Sequence, residues 1–316
     1  MSIPELVSII LPTYKRAHLL PTAIDSVLAQ TYQNWELILW DDGSTDETGK
    51  VLKSLSDPRI SYYSQENQGK AKVLNHCLEL AGGNLIAFLD DDDQWLPEKL
   101  EVQVDAMTKW PEIDLVFANF CNINVESNVH ADAFEQTSEG LARLMTRNMG
   151  DNWWLIRQGF LEGITRENFI AFDSVMIRNT VIEQVGGFNE NLKNSEDLEF
   201  WWRVGLKGLK VAYTDKVVMN RVKYPGSLSG RSIGSMLGFL ETLEACKELA
   251  IEQDCFDQVG LLRPLYRNTW HNLILEYGKK KDLANAFSAF WHSLNYGFRP
   301  GAFRLLLRAL MKKLFG

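Results

Sequence analysis

Residues 85–93 read LIAFLDDDD, a run of five apolar residues followed at once by four aspartates, and this stretch decides the fold. A continuous apolar run of this length is typical of a strand buried on both faces, as strands of a parallel sheet are. Ligands of open α/β sheets bind beyond the carboxyl ends of the strands, which is where the aspartates lie. The sequence therefore predicts a buried strand that delivers acidic side chains to a ligand site.

Four adjacent carboxylates repel one another, and a cation among them relieves the repulsion. Hard divalent cations prefer oxygen ligands and commonly bridge to phosphates. We therefore expect Asp90, Asp91 and Asp92 to serve a divalent metal, Mn²⁺ or Mg²⁺. The alternative is a solvated acidic turn in which Asp93 caps the next helix, and both functions can hold together.

Short apolar runs alternate with helical patterns over the first 120 residues, which indicates βαβ units and a mostly parallel sheet flanked by helices. The alternation is lost over residues 120–170 and returns with a strand at 174–177 and a helix at 197–206. From residue 233 onward the pattern is helical. The predicted strands of the first part are 6–11, 35–40, 60–63, 85–89 and 114–119, and the predicted helices are 19–30, 45–55, 70–81 and 96–109.

Polar residues also follow the first two predicted strands. Pro12-Thr13-Tyr14 and Asp41-Asp42-Gly43-Ser44 come directly after apolar runs, so parallel strands would bring both to one sheet edge. A simple turn with a helix cap is the alternative for the second segment. Because two adjacent aspartates exceed what a turn needs, we expect one to anchor it and the other to accept a hydrogen bond from a ligand N–H, such as a nucleobase.

Two further polar segments open predicted helices. Gly69, Lys70 and Lys72 can receive an anionic phosphate at a helix N-terminus, with a solvated basic turn as the alternative. Glu196 and Asp197 either interact with a helix dipole or act as a general base toward an acceptor hydroxyl. The chain has no G-x-G-x-x-G and no G-x-x-x-x-G-K-[ST] motif, which argues against dinucleotide and P-loop chemistry.

The composition is that of a globular enzyme, with 46% hydrophobic and 23% charged residues in 316. A formal net charge of −8 argues against general nucleic-acid binding. The four cysteines form no C-x-x-C pair, as expected of reduced thiols. The first residues, MSIPELVSII, lack the basic segment of a signal peptide, and no apolar run reaches the roughly 18 residues of a membrane span. We therefore expect a cytoplasmic location.

Three segments together resemble the family 2 inverting glycosyltransferases, which have a GT-A fold and use nucleotide-diphospho-sugars. They are VSIILPTYKR with AIDSVLAQTYQNWELILWDDGSTDET (7–16 and 23–48), NQGKAKVLNHCLELAGGNLIAFLDDDDQWLPEKL (67–100) and VGGFNENLKNSEDLEFWWRVGLKG (185–208). The resemblance implies transfer of one sugar from a nucleotide-diphospho-sugar, with uridine as the favoured base, to a hydroxyl of a glycan or lipid-linked acceptor. A nucleotidyltransferase on a similar sheet and a catalytically inactive sugar-nucleotide-binding protein are the alternatives.

The resemblance also implies residue roles. Asp90-Asp91-Asp92 is similar to the family's D-x-D element, with Asp92 as the direct metal ligand beside Asp90. Asp197 corresponds to the catalytic base, with Glu196 next to it. On the donor side, Pro12, Thr13 and Tyr14 would line the nucleobase and ribose, Asp42 would accept from the base, Asp41 would hold the turn, and Lys70 and Lys72 would contact the diphosphate.

Three features depart from the family pattern. Many members have Ala-Arg-Asn where this chain has Val73-Leu74-Asn75, so a contact made by that arginine would come from Lys70 or Lys72. Many members have a histidine in the segment occupied here by Arg221-Val222-Lys223. A protonated lysine cannot ligate a metal, but it could pair with phosphate. The Q-x-x-R-W signature of processive synthases is missing, which favours single-residue transfer.

The C-terminal residues form the last predicted region. Residues 300–316 place Arg304, Arg308 and Lys312 on one helix face and leucines with Phe303 on another. Such a helix can lie on an anionic membrane, giving peripheral contact with the inner face, or it can pack on its own domain or a partner subunit. We predict a GT-A catalytic domain over 1–230, with a donor half of about 1–120 and an acceptor half of about 121–230, and a helical region over 231–316.

Overall fold

The computed structural model describes residues 4–224, 232–297 and 301–307. Over these residues the chain is an α/β structure with one large sheet flanked by helices, so the predicted α/β class is confirmed. Most strand pairings outside the first four strands are antiparallel, so the sheet is mixed rather than mostly parallel. The strands are β1 (Val7–Thr13), β2 (Trp35–Asp41), β3 (Ile60–Ser64), β4 (Leu85–Phe88), β5 (Gln94–Trp95), β6 (Leu115–Asn124), β7 (Val129–Asp132), β8 (Met145–Gly150), β9 (Trp153–Gln158), β10 (Val175–Arg178) and β11 (Val211–Lys223).

Helices separate most of these strands and continue after the last one. They are α1 (Leu20–Leu28), α2 (Thr48–Lys53), α3 (Lys70–Leu80), α4 (Lys99–Lys109), α5 (Ala133–Gln136), α6 (Ser138–Leu141), α7 (Phe160–Arg166), α8 (Asn179–Val185), α9 (Glu196–Leu206), α10 (Ile233–Glu252), α11 (Phe256–Lys279) and α12 (Leu283–Leu294). Residues 301–307 are also helical. No helix within the described ranges is both long and apolar enough to cross a membrane.

One part of the sheet is parallel and consists of β3, β2, β1 and β4 in that order. β1 is buried at every position, as its continuous apolar run predicts. Thr13 at the end of β1 lies opposite Asp41 of β2, which lies opposite Ser64 of β3. Because the strands run in the same direction, their carboxyl ends share one edge of the sheet.

The remainder of the sheet is mixed. β10 runs antiparallel between β4 and β6, and β6 pairs in parallel with β11. The sequence analysis assigned no strand to Val211–Lys223. Asp215 and Lys216 interrupt its apolar pattern at a point where the register with β6 shifts, between Thr214 and Val217. Such a bulge disrupts the period of two on which strand prediction depends.

Residues 120–170, which had no assignment, also contain regular structure. β6 continues to Asn124 and pairs antiparallel with β7, while β8 and β9 form an antiparallel pair at the sheet edge. β7 and β8 are short and largely exposed, so their sequences carry little hydrophobic alternation.

The chain divides into two compact units. The first comprises Met1–Glu190 and Lys207–Pro225, and the second comprises Asn191–Leu206 and Gly226–Gly316. In the first unit, a core around β1, β2 and β4 supports the sheet. In the second, α11, α12 and residues 301–307 share a smaller core. α9 therefore belongs to the same unit as the C-terminal helices. The domain boundary predicted between residues 230 and 231 lies outside the described residues.

Candidate active site

The ends of β1 and β4 are joined by a buried hydrogen bond. Thr13 Oγ1 donates to Asp91 Oδ2 at 2.7 Å, and both side chains are buried. Burial raises the pKa of Asp91 to about 7, against the lowering effect of Thr13 and Arg16. The polar groups predicted at the ends of the first and fourth strands therefore do meet at one edge.

Basic side chains lie among the consecutive aspartates. Lys70 Nζ pairs with Asp90 Oδ1 at 2.6 Å, and its ammonium group also lies 4.5 Å from the centre of the Phe172 ring. Arg16 pairs with Asp92 and lies 3.4 Å from Asp91. The repulsion between the carboxylates is thus relieved by cations of the protein itself.

Arg16 is a site residue that the sequence analysis missed. Arg16 follows Thr13 by three residues, just beyond the end of β1 and so at the sheet edge where the aspartates were predicted. This position was the signal available in the sequence. Asp173 was also missed. It is a lone acid within the apolar segment FIAFDSVMI and is buried, with 3% of its surface exposed.

Asp93 has a different role from the cap that was predicted. Its Oδ1 accepts from the backbone N–H of Val222 in β11 at 2.9 Å, and burial raises its pKa to about 7. Burial and the neighbouring acids Asp90 and Asp93 hold the pKa of Asp173 well above its usual range. Because the short strand β5 follows Asp93 directly and pairs with β11, α4 begins only at Lys99. The alternative in which Asp93 caps the next helix is therefore wrong.

The two aspartates of the turn after β2 have different contacts, and Asp41 anchors the turn. Asp41 Oδ1 accepts from the backbone N–H of Ser44 at 2.9 Å, which holds the turn. Gly43 has φ +82°, and a Cβ there would lie 2.8 Å from the backbone nitrogen of Asn67. Only glycine therefore fits this turn without a shift of the 65–69 loop.

Asp42 organises the segment that leads into α3. Its carboxylate accepts from Gln65 Nε2 at 2.8 Å and from the backbone N–H groups of Gln68 and Gly69, each at 2.9 Å. A carboxylate offers about four acceptor positions, so one further donor can be accommodated. The contact of Asp42 with a nucleobase stays a prediction.

An aromatic group adjoins this segment. Trp40 stacks on Tyr63 with ring centroids 5.1 Å apart and also contacts the His76 ring at 5.0 Å. His76 Nδ1 lies 2.9 Å from Gln65 Oε1, which links the aromatic group to the Gln65–Asp42 hydrogen bond. None of these three rings was selected from the sequence.

The remaining predicted donor residues lie on the same elements. Pro12 is buried within β1, and Tyr14 is 41% exposed beyond its end. Lys72 is half-buried in the first turn of α3, two residues after Lys70. Their contacts with a donor stay predictions.

Glu196 and Asp197 form the first turn of α9 in the second unit. Glu196 is buried and Asp197 is half-buried, and the preceding Ser195 has φ +56°. α10 fixes this turn from one side. Thr242 Oγ1 donates to the backbone carbonyl of Asn194 at 2.9 Å, and Asn194 Nδ2 donates to the carbonyl of Ser235 at 3.2 Å.

A divalent cation fits the chemistry of the strand-end carboxylates. Within the described residues, no three His, Cys, Asp or Glu side chains converge as a ready metal site. Mg²⁺-type ions often take only one or two protein carboxylates together with substrate phosphates, and Asp90 and Asp92 offer such oxygens at partly exposed positions. Lys223, at the end of β11, is exposed.

The strand-end site and the α/β sheet define a GT-A type of fold, and comparison with known proteins identifies the family. The sequence model of Glycosyl transferase family 2 matches residues 8–172, so the chain belongs to that family. The likeness extends to solved structures. S. aureus TarS in complex with UDP-GlcNAc has a TM-score of 0.61 at 17% identity, with 90% of each chain covered. The mannosyltransferase PcManGT of Pyrobaculum calidifontis, in complex with GDP-Man and Mn²⁺, has a TM-score of 0.56 at 16% identity, covering 98% of this chain and 87% of that one.

Two Escherichia coli proteins illustrate the sequence relatives. The UDP-Glc:alpha-D-GlcNAc-diphosphoundecaprenol beta-1,3-glucosyltransferase WfgD is 44% identical over 125 residues, which are 39% of this chain and 49% of the relative. WfaP, which is named for the same activity, is 27% identical over 237 residues, or 74% of this chain and 83% of the relative. The match to WfgD thus spans about half of that relative's length.

Proposed function

We propose that the protein is an inverting glycosyltransferase that moves one sugar from a nucleotide-diphospho-sugar, a UDP-sugar, to a hydroxyl of a glycan or lipid-linked acceptor. The observation that carries this proposal is the strand-end cluster, in which Thr13, Asp91, Arg16 and Lys70 meet at one sheet edge. The activities of WfgD and WfaP, which use UDP-Glc and a diphosphoundecaprenol acceptor, support this donor and this acceptor class.

The donor would be held by groups of the first unit. Pro12, Thr13 and Tyr14 would line the base and ribose, and Asp42 would accept one N–H of the base at its remaining acceptor position. Lys70, Lys72 and Arg16 would pair with the diphosphate. Because Lys70 and Arg16 carry long side chains paired with partly exposed carboxylates, they can exchange those partners for phosphate oxygens. Exposed Lys223 is a further candidate for a phosphate contact.

Asp92 and Asp90 would hold a divalent metal, Mn²⁺ or Mg²⁺. When bound, such an ion supplies charge neutralisation for the departing diphosphate. Arg16 and Lys70, which pair with Asp92 and Asp90, lie beside the same carboxylates. The negative charge that develops on the leaving group would then be met by the two basic side chains.

The transfer itself would be a single in-line displacement. The acceptor oxygen forms a bond to the anomeric carbon while the bond from that carbon to the diphosphate oxygen breaks, and a nucleoside diphosphate leaves. Asp197 takes the proton from the acceptor hydroxyl, with Glu196 beside it. Attack from the face opposite the leaving group inverts the anomeric configuration.

The experiment is a thermal-shift panel on the full chain with UDP, GDP, TDP and CDP, each with Mn²⁺ and with EDTA. We expect UDP to stabilise the protein, and to do so only with the metal. No stabilisation by any diphosphate would favour an inactive protein and contradict the proposal. Product analysis with UDP-sugars then separates the remaining alternative, because release of pyrophosphate in place of UDP would mean nucleotidyl transfer.

A lipid-linked acceptor would require access to a membrane surface. We propose peripheral contact with the inner face of the membrane through residues 300–316, from a cytoplasmic location. Of this segment, residues 301–307 are helical and expose Phe303 and Arg304, while Arg308 and Lys312 lie outside the described residues.

A further inference from the structure

The last described helix pair has an exposed aromatic surface. α12 buries Ala286, Ala289 and Phe290 toward the core of the second unit. Its outer side exposes Phe287 and Trp291, one helical turn apart, with 56% and 65% of their surfaces accessible. Large aromatic side chains this exposed in pairs are uncommon on a surface that meets only water.

The exposed surface continues onto the next helical segment. Residues 301–307 bury Ala302 and Leu306 in the same core and expose Phe303 and Leu307, at 45% and 43%. Phe290 connects the two segments, since its ring centroid lies 6.5 Å from that of Phe287 and 6.1 Å from that of Phe303. We call Phe287, Trp291, Phe303 and Leu307 the aromatic face.

Positive charge is concentrated in the part of the sequence that contains this face. From residue 279 to residue 316 the sequence has eight lysines and arginines against the single acid Asp282, a net +7, whereas the whole chain carries −8. Lys279 at the end of α11 and Lys280 and Lys281 in the turn that leads into α12 are exposed, and Arg304 is exposed beside Phe303. The charge is therefore complementary to an anionic surface.

We infer that the aromatic face docks on an anionic lipid membrane, with Trp291 and Phe287 at the headgroup boundary and the surrounding lysines and arginines against acidic headgroups. Aromatic and basic side chains on one helical surface are the combination that binds such interfaces. A second copy of the chain fits less well, because a two-fold contact would bring two regions of the same net charge together. The inference rests on the proposed function only in that a lipid-linked acceptor gives the docking a purpose.

The test is vesicle co-sedimentation of the full chain. One set of vesicles contains phosphatidylethanolamine with phosphatidylglycerol, and the other contains phosphatidylcholine alone. We expect binding to the anionic vesicles that weakens with added salt. The double variant Phe287→Ser/Trp291→Ser should bind at least about tenfold more weakly, since membrane affinity scales with the apolar area buried. Met145→Ser is the matched control, because Met145 is 61% exposed on β8 in the first unit.

Every outcome bears on the inference. Failure of the unaltered chain to bind anionic vesicles overturns it, and so does equal binding by the double variant. Self-association that depends on Phe287 and Trp291, without vesicle binding, would assign the face to a second copy. UDP binding is measured on the same samples. Vesicle binding without any nucleotide binding would reject the proposed function and leave the docking inference standing.

Discussion

The molecule has two acidic regions that are built in different ways. At the strand edge, Asp90 to Asp93 are engaged by side chains and backbone groups from several strands and from α3, so their charge is balanced locally. At the start of α9, the turn that carries Glu196 and Asp197 is fixed through its backbone, by α10. The strand edge contains ion pairs as well as hydrogen bonds, and the contacts described at Asn194 before α9 are hydrogen bonds to main-chain carbonyls.

This difference suggests separate contributions to the reaction. A charge-balanced cluster with exchangeable basic partners suits the binding of an anionic donor. A carboxylate on a turn fixed by its backbone suits proton transfer, which depends on the position of the group. Substitutions at the strand edge should therefore change binding, and substitutions around α9 should change turnover.

The largest effect is expected from Asp197→Asn, which removes the proposed general base. Turnover should fall by roughly 10²–10⁴, the usual contribution of a positioned base. UDP affinity should be retained, because the strand edge is untouched. Steady-state kinetics together with calorimetric UDP titration check both parts. Near-normal turnover would contradict the assignment, and a parallel loss of UDP affinity would contradict the separation of the two regions.

The next effect is expected from Asp92→Ala at the strand edge. UDP affinity with Mn²⁺ should fall on the order of 10- to 100-fold, because contacts to a charged group contribute roughly 1.5–3 kcal/mol. Titrations of both proteins in EDTA serve as the control, since the difference should largely disappear without metal. Unchanged affinity in Mn²⁺ would show that Asp92 is not a ligand.

A smaller effect is expected where α10 supports the α9 turn. Thr242→Val keeps the shape of the buried side chain but removes the hydroxyl that donates to the Asn194 carbonyl. Loss of one intramolecular hydrogen bond costs about 0.5–1.5 kcal/mol of unfolding free energy. Turnover should fall several-fold while UDP affinity stays constant, and Thr242→Ser should restore turnover. Equal turnover in the valine and serine variants would mean that this contact does not position Asp197.

The sequence predicted best where neighbouring residues decide the structure. The parallel strands have continuous apolar runs, so their bounds agree with the structure within two residues, as for β1 and β4. β11 was missed because Asp215 and Lys216 interrupt it at a bulge. The local sequence pattern does not show that a neighbouring strand can continue to pair beyond such an interruption.

The candidate site shows the same limit. That polar clusters meet at one edge follows from parallel strands, and the structure does join Thr13 to Asp91. The partners of Asp93 could not be predicted, because Val222 lies 129 residues away in a strand that was not recognised. Arg16 pairs with Asp92 across 76 residues. Long-range pairing of this kind depends on the finished sheet and not on the local sequence.

The smallest effect concerns the pH dependence of stability at the strand edge. Burial raises the pKa of Asp91 to about 7, from 3.8. Between these values the folded protein holds a proton that the unfolded chain has lost, so stability rises as pH falls from 7 toward 4. The contribution of Asp91 between pH 7 and pH 6 is about 1 kcal/mol, and Asp91→Asn should reduce the slope of unfolding free energy by that amount. Urea unfolding in EDTA at several pH values measures it.

A matched variant tests whether the pH effect belongs to the buried edge. Hydrogen bonds from Arg59 hold the pKa of Asp57 below its usual value, so Asp57 stays ionised throughout this window. Asp57→Asn should therefore leave the slope between pH 6 and pH 7 unchanged. If both variants keep the slope of the unaltered chain, Asp91 is ionised in the folded protein. The lowering effect of Arg16 on the pKa of Asp91 would then outweigh the raising effect of burial. The strand edge would then be a paired cluster of charges like the half-buried Asp57–Arg59 pair, and its contrast with the α9 turn would be sharper.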